Sequence, residues 1–251
     1  MKKILGTMRN ACDEFHMIEE GDKIAVGVSG GKDSMLLLYA MGLYQMYMRK
    51  KFSFIGLTVD LGFSGFNVQG IADFSASIGA EYHVVKTEIA SIVFDIRKEK
   101  NPCALCSKMR KGSFYEEAKR LGCNKAAFAH NTEDLLETLL MGLLYEGRLN
   151  IFSPVTYLSR SDITLIRPFI YLGEKEILGA INRQNIPVYK NPCPEDGVTK
   201  RQEAHKLLNQ LVQYNPHVKK NMLAALKTAG KYNIFSLNSD NGVASSPKEV
   251  E

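Results

Sequence analysis

Ile24-Ala25-Val26-Gly27-Val28-Ser29-Gly30-Gly31-Lys32-Asp33-Ser34 runs from a short apolar stretch into a glycine-rich turn, and Met35-Leu36-Leu37-Leu38-Tyr39-Ala40-Met41 continues it as an apolar-rich helix candidate. Strand, loop and helix follow one another without a break. Outward from this unit the pattern repeats. Phe54 to Val59 reads as a second buried strand, 67–79 as a helix, Tyr82 to Val85 as a third strand, and Lys125 to Ala129 as a fourth. A helix from Thr132 to about Tyr145 and a fifth strand at Ile163 to Ile166 come next. Strands alternating with helices, with no tight hairpin signal between them, predict an α/β fold: a mostly parallel twisted sheet with helices on both faces. In such sheets ligands gather at the carboxyl ends of the strands. There the sequence places the turn at 29–34, Asp60 after the second strand and His130 after the fourth.

The remainder reads as additions to this core. Cys12 falls on an N-terminal helix within a segment at 1–20, the core domain occupies 21–198, and helical spacing recurs at 202–212 and 218–227 within a segment at 199–235. The polar end, 236–251, is expected to be disordered. Apolar residues make up 45% of the 251 and charged residues 24%, which excludes a disordered chain. The formal net charge of +5 permits a polyanionic partner without requiring one. Arg9 interrupts the first apolar run, so no export is expected, and the longer apolar runs are cut by Lys32, Arg49 or Glu146, so no membrane span is expected. The expected location is the cytoplasm.

The turn carries its own chemistry. Two adjacent glycines let successive backbone N–H groups face one anion with no Cβ in the way, and the following helix adds its positive end. Lys32 supplies a point charge for phosphate oxygens, Ser29 and Ser34 supply hydroxyl donors, and Asp33, which would repel phosphate directly, makes sense as a Mg²⁺ ligand. The competing reading is a plain strand-to-helix turn with a solvated Lys and Asp. The spacing is neither that of the Walker loop nor that of the dinucleotide fingerprint. The hexapeptide Ser29-Gly30-Gly31-Lys32-Asp33-Ser34 instead resembles the SGGxDS signature of the N-type ATP pyrophosphatases, the PP-loop superfamily of adenine nucleotide α-hydrolase-like fold. That resemblance implies cleavage of ATP to AMP and pyrophosphate with adenylation of an oxygen on a second substrate. Lys32 and Asp33 are then the chemical residues of a nucleotide set completed by Ser29, Gly30, Gly31, Ser34, Asp60 and His130.

Five cysteines in a chain of this size do not suggest disulfide stapling. Cys103 and Cys106 form a close pair beside a cationic helix start (Lys108, Arg110, Lys111) that would favour thiolates, and Cys193 stands in a second Asn-Pro-Cys sequence. Three cysteines without an evident histidine suit zinc poorly and suit a [4Fe-4S] cluster with one open iron well. Cys123 reads as a buried core residue, and Cys12 has no evident partner. Arg110, Lys111, Arg148, Lys200 and Arg201 lie near the motif loops and are the candidates for RNA phosphates, with solvated surface charge as the plain alternative.

With these parts in order, residues 10–230 resemble the tRNA 2-thiocytidine synthetases, through the nucleotide loop, Cys103 to Gly112, Ala129 to Asp134, Leu144 to Leu149, Ile166-Arg167-Pro168 and Arg201-Gln202. The resemblance implies ATP-dependent thiolation of a cytidine in a tRNA anticodon loop. It also implies a cluster on Cys103, Cys106 and Cys193, a sulfur donor (a cysteine desulfurase or free sulfide), and a catalytic carboxylate at Asp134. Asp134 and Glu133 read equally as first-turn acids that complement a helix dipole. A homodimer is the base-rate expectation. Two departures stand out: Cys193-Pro194-Glu195-Asp196 replaces a second Cys-x-x-Cys, and His130-Asn131 and Glu133-Asp134 replace paired histidines and paired aspartates. The rival readings are an adenylating enzyme acting on another nucleoside or a small molecule, and a non-catalytic iron-sulfur RNA-binding protein.

Overall fold

A computed structural model describes residues 1–47, 50–98, 101–190, 192–195 and 200–228. The tail expected at 236–251 and the departure at Asp196 lie outside the described residues. The strands are β1 (Lys23–Gly27), β2 (Ser53–Asp60), β3 (Glu81–Lys86), β4 (Lys125–Ala127), β5 (Val155–Leu158) and β6 (Ile163–Ile166). The helices are α1 (Lys2–Glu14), α2 (Lys32–Tyr47), α3 (Val68–Ser77), α4 (Pro102–Arg120), α5 (Thr132–Met141), α6 (Glu174–Gln184), α7 (Lys200–Tyr214) and α8 (Val218–Thr228).

The strands form one sheet in the order β3-β2-β1-β4-β6-β5. All pairings are parallel except β5 with β6. Period-two alternation splits the strands between two cores. Ala25, Ile55, Leu57, Ala126, Ile163 and Leu165 face Phe114, Tyr115 and Ala118 of α4. Ile24, Val26, Phe54, Ala127 and Ile166 face the opposite layer of α1, α2 and α6. Each fully buried aliphatic side chain there contributes roughly 1.5–3 kcal/mol against exposure. In α1, the positions Ile4, Met8, Ala11 and Cys12 repeat at helical spacing and are buried in that same layer. The helices α7 and α8 dock on α5 through Leu136, Leu140, Ala204 and Leu208.

Two details differ from the sequence expectation. The strand expected fifth is the sixth, because Val155–Leu158 adds an antiparallel edge strand through a hairpin whose turn places Asp162 at φ 48°. The helix expected to reach Tyr145 is α-helical only to Met141 and continues as a π-helical turn over Gly142–Glu146. Gly142 permits this: a Cβ there would lie 2.8 Å from the Arg148 carbonyl oxygen. Among the described residues no helix is long and apolar enough to cross a membrane.

Candidate active site

Chain order reverses at β1, whose neighbours are β2 on one side and β4 on the other, so a crevice opens beyond their carboxyl ends. The segment 29–34 fills the mouth of that crevice as a self-bonded ring. Ser34 Oγ accepts from the Ser29 N–H at 3.1 Å and donates to the Gly31 carbonyl at 2.9 Å. Ser29 Oγ lies 3.1 Å from Ser34 Oγ and accepts from the Gly31 N–H at 3.4 Å. Gly30 sits at φ 83°, where an L side chain is strained, and a Cβ on it would meet Tyr189 at 3.2 Å and Ile71 at 3.3 Å. The Gly30 carbonyl accepts from the Tyr189 N–H at 2.9 Å, which ties the chain leading to Cys193 onto the loop.

The cleft behind the loop measures about 310 Å³, within the ordinary range for small-molecule sites. Its floor is β1 and the start of the loop, its apolar wall includes Val59, Phe66, Phe114 and Phe128, and its rim includes Arg110, Lys111 and Pro192. Gly27 is needed in the floor because a Cβ there would lie 2.4 Å from the Phe128 ring. Ser29, Gly31, Asp33, Ser34, Asp60, His130 and Asp134 all line this cleft, so the structure brings the expected nucleotide set together apart from Gly30 and Lys32. Gly30 acts beneath the surface, through its backbone. Asp60 is held at the end of β2, where its side chain accepts from the Gly62 N–H at 3.0 Å.

Lys32 points elsewhere. It lines a second cavity of about 320 Å³ that shares Asp33 and Asp134 with the first, its ammonium 2.9 Å from Asp33 Oδ2 and 3.1 Å from Glu174 Oε1. Burial works against that charge, and the two carboxylates overcome it, so its pKa stands above the ordinary lysine value. Asp33 Oδ1 in turn accepts from Asn131 Nδ2 at 3.2 Å. Sequence reading missed Glu174 and Asn131 as neighbours of the loop; the signal available was their position just before, or in, the first turn of a helix.

Asp134 has two roles in view. With Asn131 it forms the capping box of α5: Asp134 Oδ2 accepts from the Asn131 N–H at 2.9 Å and Asn131 Oδ1 accepts from the Asp134 N–H at 3.1 Å. Its other oxygen lies 3.2 Å from Arg201 and it also faces the cleft. Burial lifts its pKa, against the Asn131 N–H and Arg201, which favour the charge. Glu133 is buried and meets Lys219 at 2.8 Å, while Glu137, also buried, meets His205 at 2.8 Å. His130 lies between the rings of Phe128 and Phe152 with its Nδ1 buried and lacking a hydrogen-bond partner. Burial drives its pKa down to about 3, with Arg167, Arg201, Lys111 and Arg110 adding like-charge repulsion, so the ring is neutral.

All five cysteines are reduced. Cys103 and Cys106 lie in the first turns of α4, Cys106 packing beside Leu61, Ile89 and Val93, and the charge of Cys193 is felt by both. Three thiols from two segments are thus neighbours, Cys193 directly after Pro192 and Cys106 one turn before Arg110, both of which line the cleft. Among the described residues no three His, Cys, Asp or Glu side chains are drawn to metal-ligand distance. The expected thiolate bias is corrected. Burial raises the pKa of Cys103 and Cys106, the neighbouring cysteine charges add to it, and Arg110 offsets only part. Cys123 is buried in the core as expected, and Cys12 is buried too, its thiol pushed up to about 12.

Of the basic candidates, Arg110 and Lys111 line the cleft. Lys200 sits 4.9 Å from the centre of the exposed Tyr145 ring. Arg148 lies exposed after the π-helical turn and lines neither cavity. Arg201 is drawn inward, to Asp134 at 3.2 Å and Glu137 at 4.0 Å.

A parallel sheet that delivers a self-bonded Ser-Gly-Gly loop to its switch point, with a helix starting from the loop, is the architecture of a PP-loop domain, and residues 4–211 match the family described as "PP-loop domain". The chain is 34% identical to the tRNA-cytidine(32) 2-sulfurtransferase of Geobacter sulfurreducens, over 90% of this chain and 89% of that one. It is 33% identical to the protein of the same name from Citrifermentans bemidjiense, over 89% of each. It therefore belongs to the PP-loop family of tRNA-cytidine 2-sulfurtransferases. Among solved structures it is similar in fold to the U34-tRNA thiolase NcsA from Methanococcus maripaludis with its [4Fe-4S] cluster, at a TM-score of 0.74 and 22% identity, covering 90% of this chain and 78% of that one.

Proposed function

We propose that the protein is an ATP-dependent tRNA thiolase that replaces the C2 oxygen of an anticodon-loop cytidine with sulfur, position 32 being the one in its relatives' names. One observation carries this reading: the segments that bear the thiols border the nucleotide cleft, through Pro192 directly before Cys193 and Arg110 one turn after Cys106, and the Tyr189 N–H to Gly30 hydrogen bond joins the Cys193 segment to the loop. An enzyme that only adenylated its substrate would need the loop alone.

The nucleotide phosphates sit on the N–H groups of 30–34 and the start of α2, and the base lies against Phe66 and Phe128. Asp33 is the Mg²⁺ ligand once it exchanges its contacts with Lys32 and Asn131 for the ion. Arg110 and Lys111 at the rim bind RNA phosphates, with Arg148 and Lys200 further out, so that a splayed-out cytidine enters between them. Its C2 oxygen attacks the α-phosphorus and pyrophosphate leaves. Sulfur then adds at C2, and AMP departs with the former oxygen. Holding the reactants in a dry cleft replaces a bimolecular encounter with a positioned one. Asp134, its pKa lifted by burial, takes up a proton in these steps.

Cys103, Cys106 and Cys193 fit a [4Fe-4S] cluster as a donor set: three reduced thiols, no competing histidine, gathered from two segments that border the cleft. When bound, the cluster supplies an iron that carries no protein thiolate and is open to sulfur. A cysteine desulfurase or free sulfide is the sulfur source, the cytoplasm is the location, and a homodimer is the assembly.

The test is anaerobic incubation of the reconstituted protein with Mg-ATP, sulfide and unmodified tRNA, followed by nucleoside mass spectrometry. Thiocytidine formed with one AMP each is the expected result. AMP formation with no thiolated nucleoside would move the acceptor from tRNA to another molecule.

A further inference from the structure

Lys32 belongs to the nucleotide loop by sequence, yet it is absent from the wall of the nucleotide cleft and lines, with Glu174, the adjoining cavity that shares Asp33 and Asp134 with it. Two carboxylates hold it there, and they are not equivalent. Asp33 is its neighbour on α2 and travels with it. Glu174 is on α6, and its place is set from elsewhere. Its own N–H donates to Glu133 Oε2 at 2.9 Å, Glu133 is pinned by Lys219 at 2.8 Å, and the helix start is closed by the Gly173 N–H donating to Glu176 at 3.0 Å. A half-buried ammonium on a flexible four-carbon stem is therefore paired with a stationary anion outside the cleft.

We propose that Glu174 is a positioning residue for the nucleotide loop: in the free protein it holds Lys32 out of the cleft, and the nucleotide phosphates must break the Lys32–Glu174 pair to draw the ammonium across. This rests on the reading that the loop holds the phosphates of ATP. The pair sets a threshold. A polyphosphate with several charges outcompetes one carboxylate for Lys32, whereas AMP, which has a single phosphate, competes poorly. The cost of breaking the pair falls in full on ATP, which draws Lys32 across, and less on AMP, which leaves Lys32 largely with Glu174.

The test is calorimetric titration of Mg-ATP and of AMP into the full chain, the Glu174→Gln and Glu174→Asp variants, Lys32→Met, and Lys32→Met/Glu174→Gln. Gln removes the competing charge. Asp keeps an acid in the first turn of α6 and withdraws it from Lys32, so it provides the same readout if the first variant folds poorly. Both should bind ATP more tightly, by roughly two- to fivefold, the strength of a partly exposed ion pair, and AMP should gain less than ATP. Simple structural damage would instead weaken binding. On the Lys32→Met background the Glu174→Gln change should have no effect. Unchanged or weaker ATP binding in both single variants, or a Glu174 effect that persists without Lys32, overturns the proposal while leaving the nucleotide site in place. No binding of ATP by the unsubstituted chain overturns both.

Discussion

The N–H of Tyr189 donates to the carbonyl of Gly30 at 2.9 Å, while the Tyr189 ring covers Gly70 so closely that a Cβ there would lie 2.6 Å from it. The segment that ends in Cys193 is thus fastened to the nucleotide loop on one side and to α3 on the other.

That junction leaves Gly30 little freedom to change. Gly30→Ala puts a side chain at φ 83° and against Tyr189, and should cost about 1–2 kcal/mol in stability from the left-handed backbone alone. Urea midpoints check this. The same variant should bind ATP at least about tenfold more weakly, because the N–H groups of the ring no longer converge.

Cys193→Ser should prevent cluster assembly, read as iron and acid-labile sulfide after anaerobic reconstitution, while ATP affinity stays as it is. Full iron content in that variant would remove Cys193 from the ligand set.

Asp134 can be divided between its two roles by one isosteric change. Asp134→Asn retains an oxygen for the Asn131 N–H, so the cap of α5 and the melting temperature should survive. Product formation should fall by about a hundredfold or more if the carboxylate handles a proton. An active Asp134→Asn protein would leave this residue as a cap alone.

His130 yields a pH prediction. Its folded pKa, about 3, lies below the ordinary histidine value of 6.5, so the unfolded chain binds the proton first and stability is lost as pH falls below 6.5. The largest slope from one such group is about 1.4 kcal/mol per pH unit. Asp134 and Glu137 act in the opposite sense, since their raised pKa values favour the folded state as the carboxylate range is approached from above. Between pH 6.5 and 5 the histidine therefore dominates the difference between the parent and His130→Asn. The variant should lose less stability over that interval by urea titration; equal losses would mean that the ring is protonated in the folded protein.

The sequence announces the central strands because Ile24 to Val28 and Phe54 to Val59 are buried on both faces, and such strands read as unbroken apolar runs. The edge strand Val155–Leu158 is silent: Pro154 precedes it, and its turn uses Asp162 rather than glycine in the left-handed region. The ring at 29–34 and the Cys103–Cys106 pair are legible because local spacing specifies them, whereas Cys193 comes from a distant segment. Where Lys32 points is not legible, because Glu174 arrives from a distant helix. The thiolate bias at Cys103 and Cys106 misleads for a related reason, since sequence shows the nearby cations and not the burial that outweighs them.

The carboxylates of α5 find their partners late in the chain: Arg201 for Asp134, His205 for Glu137 and Lys219 for Glu133. During synthesis the sheet and the nucleotide loop leave the ribosome well before residues 200–219. Until those residues emerge, Glu137 and Asp134 lack these partners and Glu133 has only the Glu174 N–H, so the helix that starts at the cleft is completed by α7 and α8.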